Sequence, residues 1–306
     1  MGPFEFGLRE TLFPHDRPSY CGLYFPDKEK HMKKKAFLLA FAVSGLTAVS
    51  SQAITIYGLG LDSNIYSFDS ATPGTVSLVG TPGNGIVDVD FRGSNGVLYG
   101  ISGTGSTFGI NLGTGGSTLL STPASTLNGS VSGFDVNPAA DRFRVVTNAV
   151  AGNNNYRLSS PGSDTGTVTS DGTFQTPIGV TILDVAYINP FSGSSGTALY
   201  SIGSDSMLYM HSTLGTDGAG TFNGMTAIGA LGFTVGSNVA FDIAGADMAY
   251  LANGTDFYTV NLTTGLATSA GTLGQAFGSF SAVPEPSSVL LGGLGALALL
   301  RRGRRA

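Results

Sequence analysis

Phe257-Tyr258-Thr259-Val260 is followed directly by Asn261-Leu262-Thr263-Thr264-Gly265. The first four residues alternate in the way that puts successive side chains on opposite faces of an extended strand. The next five carry the Asn and Gly of a tight turn, which predicts a hairpin into a further strand, Ala267–Leu273. Ile65-Tyr66-Ser67-Phe68 alternates in the same way and leads through a Gly-containing turn to Val76–Gly80. Phe108–Leu112 leads similarly to Ser117–Leu120, and Leu208–His211 is a strand of the same kind.

Working backwards from each hairpin, an aromatic between small or strand-forming neighbours recurs. It appears as Ile56-Tyr57-Gly58, Leu98-Tyr99-Gly100, Leu199-Tyr200-Ser201 and Ala249-Tyr250-Leu251, with Phe143-Arg144-Val145 at the corresponding place between them. From Tyr57 through Tyr99, Arg144 and Tyr200 to Tyr250 the steps are 42, 45, 56 and 50 residues. A further short strand precedes four of these sites: Val87–Phe91, Gly133–Val136, Leu183–Ile188 and Val239–Ile243. Four short strands per repeat, joined by Gly-rich turns, predict an all-β propeller of four-stranded blades, five of them. The first unit lacks its leading strand, and Phe277–Ala282 is left over after the last. The C-terminal strand is therefore expected to pair beside Ile54–Leu59, closing the ring and removing exposed edges. A β-solenoid is the competing architecture, although its coils would be shorter and more uniform.

Composition narrows the function. The body, Ile54–Ala282, contains no Lys, Cys, Trp or Glu; its 14 Asp and 4 Arg give a net charge of −10. So acidic a surface is a poor partner for a phosphate backbone, so no nucleic-acid ligand is expected. It holds 38 of the 46 glycines, which argues against an all-α fold. The lack of Trp also removes the Trp-docking and Trp-Asp repeats of other propeller families.

The two ends carry the address. Lys33-Lys34-Lys35, the apolar run Ala36–Val49 and Ser51-Gln52-Ala53 together predict a secretory signal peptide over 32–53, cleaved after Ala53. The 14-residue apolar run falls short of the ~20 needed to span a bilayer. Residues 1–31, with Glu5, Arg9, Glu10, Asp16, Arg17 and Asp27, do not fit a signal peptide; translation is expected to start at Met32. The sole cysteine, Cys21, lies in that upstream stretch, so the mature chain is expected to have neither disulfide nor thiol chemistry.

The repeat domain, 54–283, is followed by a tail, 284–306. Pro284-Glu285-Pro286, then apolar Val289–Leu300, then Arg301-Arg302-Gly303-Arg304-Arg305 resemble the PEP-CTERM sorting signal. Clustered arginines hold a C-terminus on the cytoplasmic face, consistent with transient membrane insertion of the segment before them. That segment has only 12 residues and three glycines, so spanning needs bilayer thinning or Arg snorkelling. The resemblance implies processing by an exosortase-type protease and export to the envelope or extracellular matrix of a Gram-negative, exopolysaccharide-producing cell.

Within the body, Phe134-Asp135-Val136-Asn137-Pro138-Ala139-Ala140-Asp141-Arg142-Phe143-Arg144-Val145-Val146, with Asn148 and Asn155-Tyr156-Arg157-Leu158, resembles the secreted bacterial family called domain of unknown function 4394. The signature is Asn-Pro-x-x-Asp-Arg-x-Arg-Val-Val. Asn153-Asn154-Asn155 departs from the family's Gly-Gln-Asn. The resemblance implies a secreted β-rich repeat domain and no established activity.

Candidate chemistry is sparse. His211, the body's only histidine, lies in a strand with no nucleophile elbow, so it is expected to be solvent-facing or satisfied by a turn. Asp88 and Asp90 share one strand face, and Asp135, Asp184 and Asp242 fall near equivalent places in later units. Such a ring could bind a cation or sugar hydroxyls or supply an acid/base pair. Alternatively it accepts backbone N–H bonds and pins blade to blade. No calcium-loop spacing is present, and neither a metal nor a cofactor is assigned. Asp141, Arg142, Arg144 and Arg157 form the least repetitive polar set. They suit either an anionic-sugar clamp or an ion-pair network with Asp135 and Asp141. Asn128-Gly129-Ser130, Asn253-Gly254-Thr255 and Asn261-Leu262-Thr263 read as turns.

The sequence thus predicts a secreted, non-catalytic surface or matrix protein that binds exopolysaccharide or another envelope component. The alternative is a carbohydrate-active hydrolase using a pair among Asp88, Asp90, Asp135, Asp184 and Asp242. With no Glu in the body, Asp would have to fill every catalytic role, including the raised-pKa acid.

Overall fold

The computed structural model describes residues 53–159, 166–191, 193, 194, 196–212 and 220–283. The expected leader, Cys21 and the sorting tail with Pro284, Glu285 and Pro286 lie outside these residues. All regular structure among the described residues is β.

In chain order, β1 (Thr55–Gly60), β2 (Ile65–Asp69) and β3 (Val76–Gly80) open the first blade. The second is β4 (Ile86–Arg92), β5 (Val97–Ser102), β6 (Thr107–Ile110) and β7 (Ser117–Ser121). The third is β8 (Val131–Asn137), β9 (Arg142–Thr147), β10 (Asn155–Ser159) and β11 (Val168–Gly172). The fourth is β12 (Ile182–Tyr187), β13 (Leu199–Gly203), β14 (Met207–Ser212) and β15 (Gly224–Ala230). The fifth is β16 (Val239–Ile243), β17 (Ala249–Asn253), β18 (Asp256–Val260) and β19 (Ala267–Thr272). The last strand, β20 (Phe277–Ala282), returns to the first blade, whose order is β20-β1-β2-β3.

These are five four-stranded antiparallel blades of a propeller, as the repeat spacing predicts. The ring closes where expected: β20 pairs antiparallel with β1, Ile56 opposite Ala282 and Gly58 opposite Phe280. Blade one is therefore built from both ends of the domain. The inner strands β20, β4, β8, β12 and β16 each pack against the inner strands of both neighbouring blades.

The apolar core is divided among the blade interfaces. Phe68, Phe257, Phe277 and Phe280 pack between blades five and one, and Leu59, Ile65, Val89 and Phe108 between one and two. Tyr99, Phe134, Phe143 and Tyr156 fill the second interface, Phe174, Ile182, Tyr187 and Phe222 the third, and Ile202, Leu208, Phe241 and Leu251 the fourth. Each blade is thus buried on both faces near the axis, whereas outer strands such as β7 and β15 carry few buried residues.

Near the rim, backbone meets backbone. A Cβ on Gly115, in the β6–β7 turn (φ 73°), would lie 2.3 Å from the Cα of Gly80 at the end of β3. The β18–β19 turn repeats the device: a Cβ on Gly265 would lie 2.5 Å from the carbonyl oxygen of Gly229 in β15. The Asn-x-x-Thr-Gly turns therefore serve as spacers between blades as well as hairpins within them.

Candidate functional site

The inner edge of each blade is a strand edge whose N–H groups have no further strand to pair with. Left buried and unpaired, each would cost roughly 1–3 kcal/mol. Side chains of the preceding blade supply the acceptors. Val136 N–H donates to Asp90 Oδ2 (2.8 Å) and Tyr187 N–H to Asp135 Oδ2 (3.2 Å). Phe241 N–H donates to Asp184 Oδ2 (2.8 Å) and Ala282 N–H to Asp242 Oδ2 (2.6 Å). The final junction, from β20 to β4, uses hydroxyls: Val89 N–H donates to Ser279 Oγ (2.9 Å) and Phe91 N–H to Ser281 Oγ (3.0 Å). Hydrogen bonds thus run around the whole axis.

Strand register sorts these residues into two tiers. Asp90, Asp135, Ala186, Asp242 and Ser281 stand opposite Tyr99, Arg144, Tyr200, Tyr250 and Tyr57, the five landmarks of the sequence repeat. Asp88, Gly133, Asp184, Ala240 and Ser279 form the second tier, two positions away. Asp184 therefore belongs with Asp88 rather than with Asp135. The longer β12–β13 connection obscures this in the sequence: Ala186 lies 14 residues before Tyr200, whereas Asp90 lies 9 before Tyr99 and Asp135 lies 9 before Arg144.

All five aspartates are 4–7% exposed, and no arginine bonds to any of them among the described residues. Burial pushes their pKa values up: Asp88 to about 7 and Asp242 to about 6. Asp90 and Asp135 rise well above the ordinary range through burial first and the neighbouring carboxylates second. Asp184 rises through burial and the proximity of Asp88. Ser279 Oγ–H donates to Asp88 Oδ1 (2.5 Å) and Ser281 Oγ–H to Asp90 Oδ1 (2.7 Å), which favours the charged forms and moderates the rise.

Oxygen atoms of Asp90, Asp135 and Asp242 lie within 4.8 Å of one another. Carboxylates this close and this dry are not all ionised without a compensating positive charge. Protons supply it in the arrangement described by the raised pKa values. The same oxygens are also of the kind that a hard cation such as Ca²⁺ takes, but four of the five aspartates already accept backbone N–H bonds from the next blade.

The Arg set is placed elsewhere. Arg144, 1% exposed, donates to Tyr187 Oη (3.0 Å), Asn155 Oδ1 (2.7 Å), Asp171 Oδ2 (2.7 Å) and the Gly220 carbonyl (2.9 Å). Arg157 donates to both oxygens of Asp171 (2.7 Å each). Asp171 is thus the carboxylate of this network, where the sequence pointed to Asp135 and Asp141. Asp141 instead accepts both guanidinium bonds of Arg92 from the preceding blade, which hold its carboxyl below the usual range. The family signature has a local cause here. Asn137 Oδ1 accepts Ala139 N–H and Ala140 N–H, and Asp141, at φ 52°, completes the β8–β9 turn. Arg142 Nη1 donates to the carbonyl of Asp141.

His211 is not solvent-facing. It is 2% exposed, stacked edge-on against Phe174, with Nε2 2.7 Å from Ser201 Oγ and Nδ1 3.1 Å from the Phe222 carbonyl. Burial lowers its pKa to about 3, so it is neutral at physiological pH. Sequence reasoning missed Arg92 and Asp171, whose partners lie 49 and 27 residues away. Their only sequence signal was rarity, Arg92 being one of four arginines in the body.

The fold and its axis define a closed five-bladed propeller with five buried aspartates along that axis. The model of the family described as Domain of unknown function (DUF4394) matches residues 64–281, and the chain belongs to that family. The PEP-CTERM protein-sorting motif matches residues 282–305, marking the chain for exosortase-type sorting, secretion and the cell envelope. A search of curated proteins gave no significant match.

Proposed function

We propose that the mature protein is a non-catalytic component of the cell surface or extracellular matrix that binds exopolysaccharide. One observation carries the reading. The carboxylates that a hydrolase would need are interior clasps between blades, 4–7% exposed and bonded to the neighbouring backbone. A glycosidase instead places two carboxyls on either side of a substrate cleft. His211 and Arg144 are likewise spent on internal bonds. What remains for function is the loop-bearing surface of a rigid platform. In this reading residues 32–53 are removed as a signal peptide, and exosortase-type cleavage within 284–306 releases the propeller outside the cell.

The test is cellular. In the host the protein is followed by immunoblot in matrix and medium, in the parent and in a strain unable to make exopolysaccharide. Loss from the matrix and appearance in the medium is expected; an unchanged distribution would overturn the proposal.

A further inference from the structure

Loops of blade three and the crossover into blade four enclose a cleft of about 370 Å³. Its walls are the β9–β10 loop with Asn148 and Val150, the segment at Asn154, and Thr173, Thr176 and Ile178 of the connection leading to β12. The volume lies within the ~300–1,000 Å³ of small-ligand sites. Three observations bear on what it takes. First, among the described residues no ionisable side chain lines it, in a body whose formal net charge is −10. Second, Val150 and Ile178 are 93% and 105% exposed, apolar side chains held up to solvent at the cleft.

Third, the cleft contains an amide with unused capacity. Asn154 is 7% exposed and its Oδ1 accepts Phe174 N–H (2.9 Å), which fixes the side chain. Its Nδ2 donates to no group among the described residues. It is also not sealed off, since Ser132 Oγ is the one partnerless side-chain atom among those fully buried in the described residues. Asn154 Nδ2 therefore meets solvent, and the cleft that Asn154 lines is the route. Asn148 repeats the pattern at the rim: Oδ1 accepts Ser130 N–H (3.0 Å), and Nδ2 has no partner among the described residues. Each side chain is oriented by one bond and offers its donor outward.

We infer that this cleft is a binding site for neutral sugar residues. Pre-oriented amide donors and threonine hydroxyls suit sugar hydroxyls, and Val150 and Ile178 suit the C–H face of a pyranose ring. A polyanion would find no cation in the cleft and an acidic body around it. The inference rests on the exopolysaccharide reading above and adds the place and the charge class of the ligand.

The test uses the secreted protein and exopolysaccharide from the host, separated by anion exchange into neutral and acidic pools. Binding isotherms are measured for the wild type, Ile178→Asp, Val150→Asp and Asn154→Asp. The first two alter solvent-exposed side chains, and the third keeps the Oδ1 acceptor for Phe174 N–H while removing the Nδ2 donor. Melting temperatures establish that each variant is folded. We expect the neutral pool to bind, with at least tenfold weakening in Ile178→Asp and about fivefold in Asn154→Asp. Unchanged affinity of all folded variants would overturn the site while leaving the exopolysaccharide reading intact. Binding of the acidic pool alone would overturn the neutral class. Binding of neither pool would overturn both the inference and the reading beneath it.

Discussion

Raising the pH should loosen the propeller from its axis outward. A carboxyl whose pKa is higher in the folded than in the unfolded state binds more protons when folded. Its stabilising share is then complete below the unfolded value and is lost as pH climbs through the folded one. Asp88 and Asp242 sit at about 7 and about 6, against an ordinary 3.8, so the loss falls between about pH 4 and pH 7. Each pH unit between the two values is worth about 1.4 kcal/mol, so ionising both costs on the order of 7 kcal/mol. That is a large part of the ~5–15 kcal/mol that holds a typical domain folded. At about 2–4 °C per kcal/mol for a domain of this size, the melting temperature should drop by at least 10 °C or so. The assay is thermal melting by circular dichroism from pH 4.5 to 8.5, after dialysis against a chelator. Asp90→Asn supplies the control, because an amide can still accept Val136 N–H while its NH₂ donates to a rotated Ser281 hydroxyl. With no charge to develop at that position, its melting temperature should fall no more steeply between pH 5 and pH 8 than that of the wild type. A wild-type melting temperature that is flat or rises between pH 5 and 8 would refute the reasoning, since the carboxylates would then be ionised and compensated.

Three further outcomes are expected. Gly115→Ala meets the backbone of Gly80 and forces Ala to φ 73°, so it should cost about 2–4 kcal/mol. Gly254→Ala, at φ 66° with open space around it, should cost about 1 kcal/mol; equal losses in urea titration would contradict the blade-contact explanation. Arg144→Ala removes a buried guanidinium that bonds Asp171, Asn155, Tyr187 and the Gly220 carbonyl and leaves a cavity in its place, so it should cost about 3–5 kcal/mol. Arg157→Ala, whose side chain is 34% exposed, should cost about 1 kcal/mol, and the reverse order in urea titration would be wrong for this network. Intact mass of the protein from host matrix should match a chain beginning at Ile54 and ending near Pro286; a form retaining Arg301–Arg305 would mean that the tail anchors the protein.

The architecture was legible because each blade repeats a local pattern. Alternation in Phe257–Val260, the turn at Asn261–Gly265 and the leftover strand Phe277–Ala282 are signals within one hairpin or at one chain end. The inward pairing of Asp88 and Asp90 was legible for the same reason, since two residues on one strand share a face. The tiers were not, because the β12–β13 connection is longer than β4–β5 or β8–β9, so counting back from the landmark does not tell Asp184 from Asp135. The burial of His211 was not legible, because it depends on Phe174 and Phe222, which arrive from other strands and loops. Arg92 with Asp141 and Arg144 with Asp171 are contacts across blades or across a whole blade, which periodicity does not encode. The cleft at Asn154 is made by two loops, and its only trace in the sequence was the unusual Asn153-Asn154-Asn155 run.

The most direct test of binding without cleavage counts molecules on both sides. Purified secreted protein is titrated with exopolysaccharide from the host, and bound protein and newly formed reducing ends are measured in the same samples over hours. We predict saturable binding with no increase in reducing ends. Reducing ends that accumulate with the wild type and disappear with a folded Asp90→Asn variant would contradict it and make the axial carboxylates catalytic.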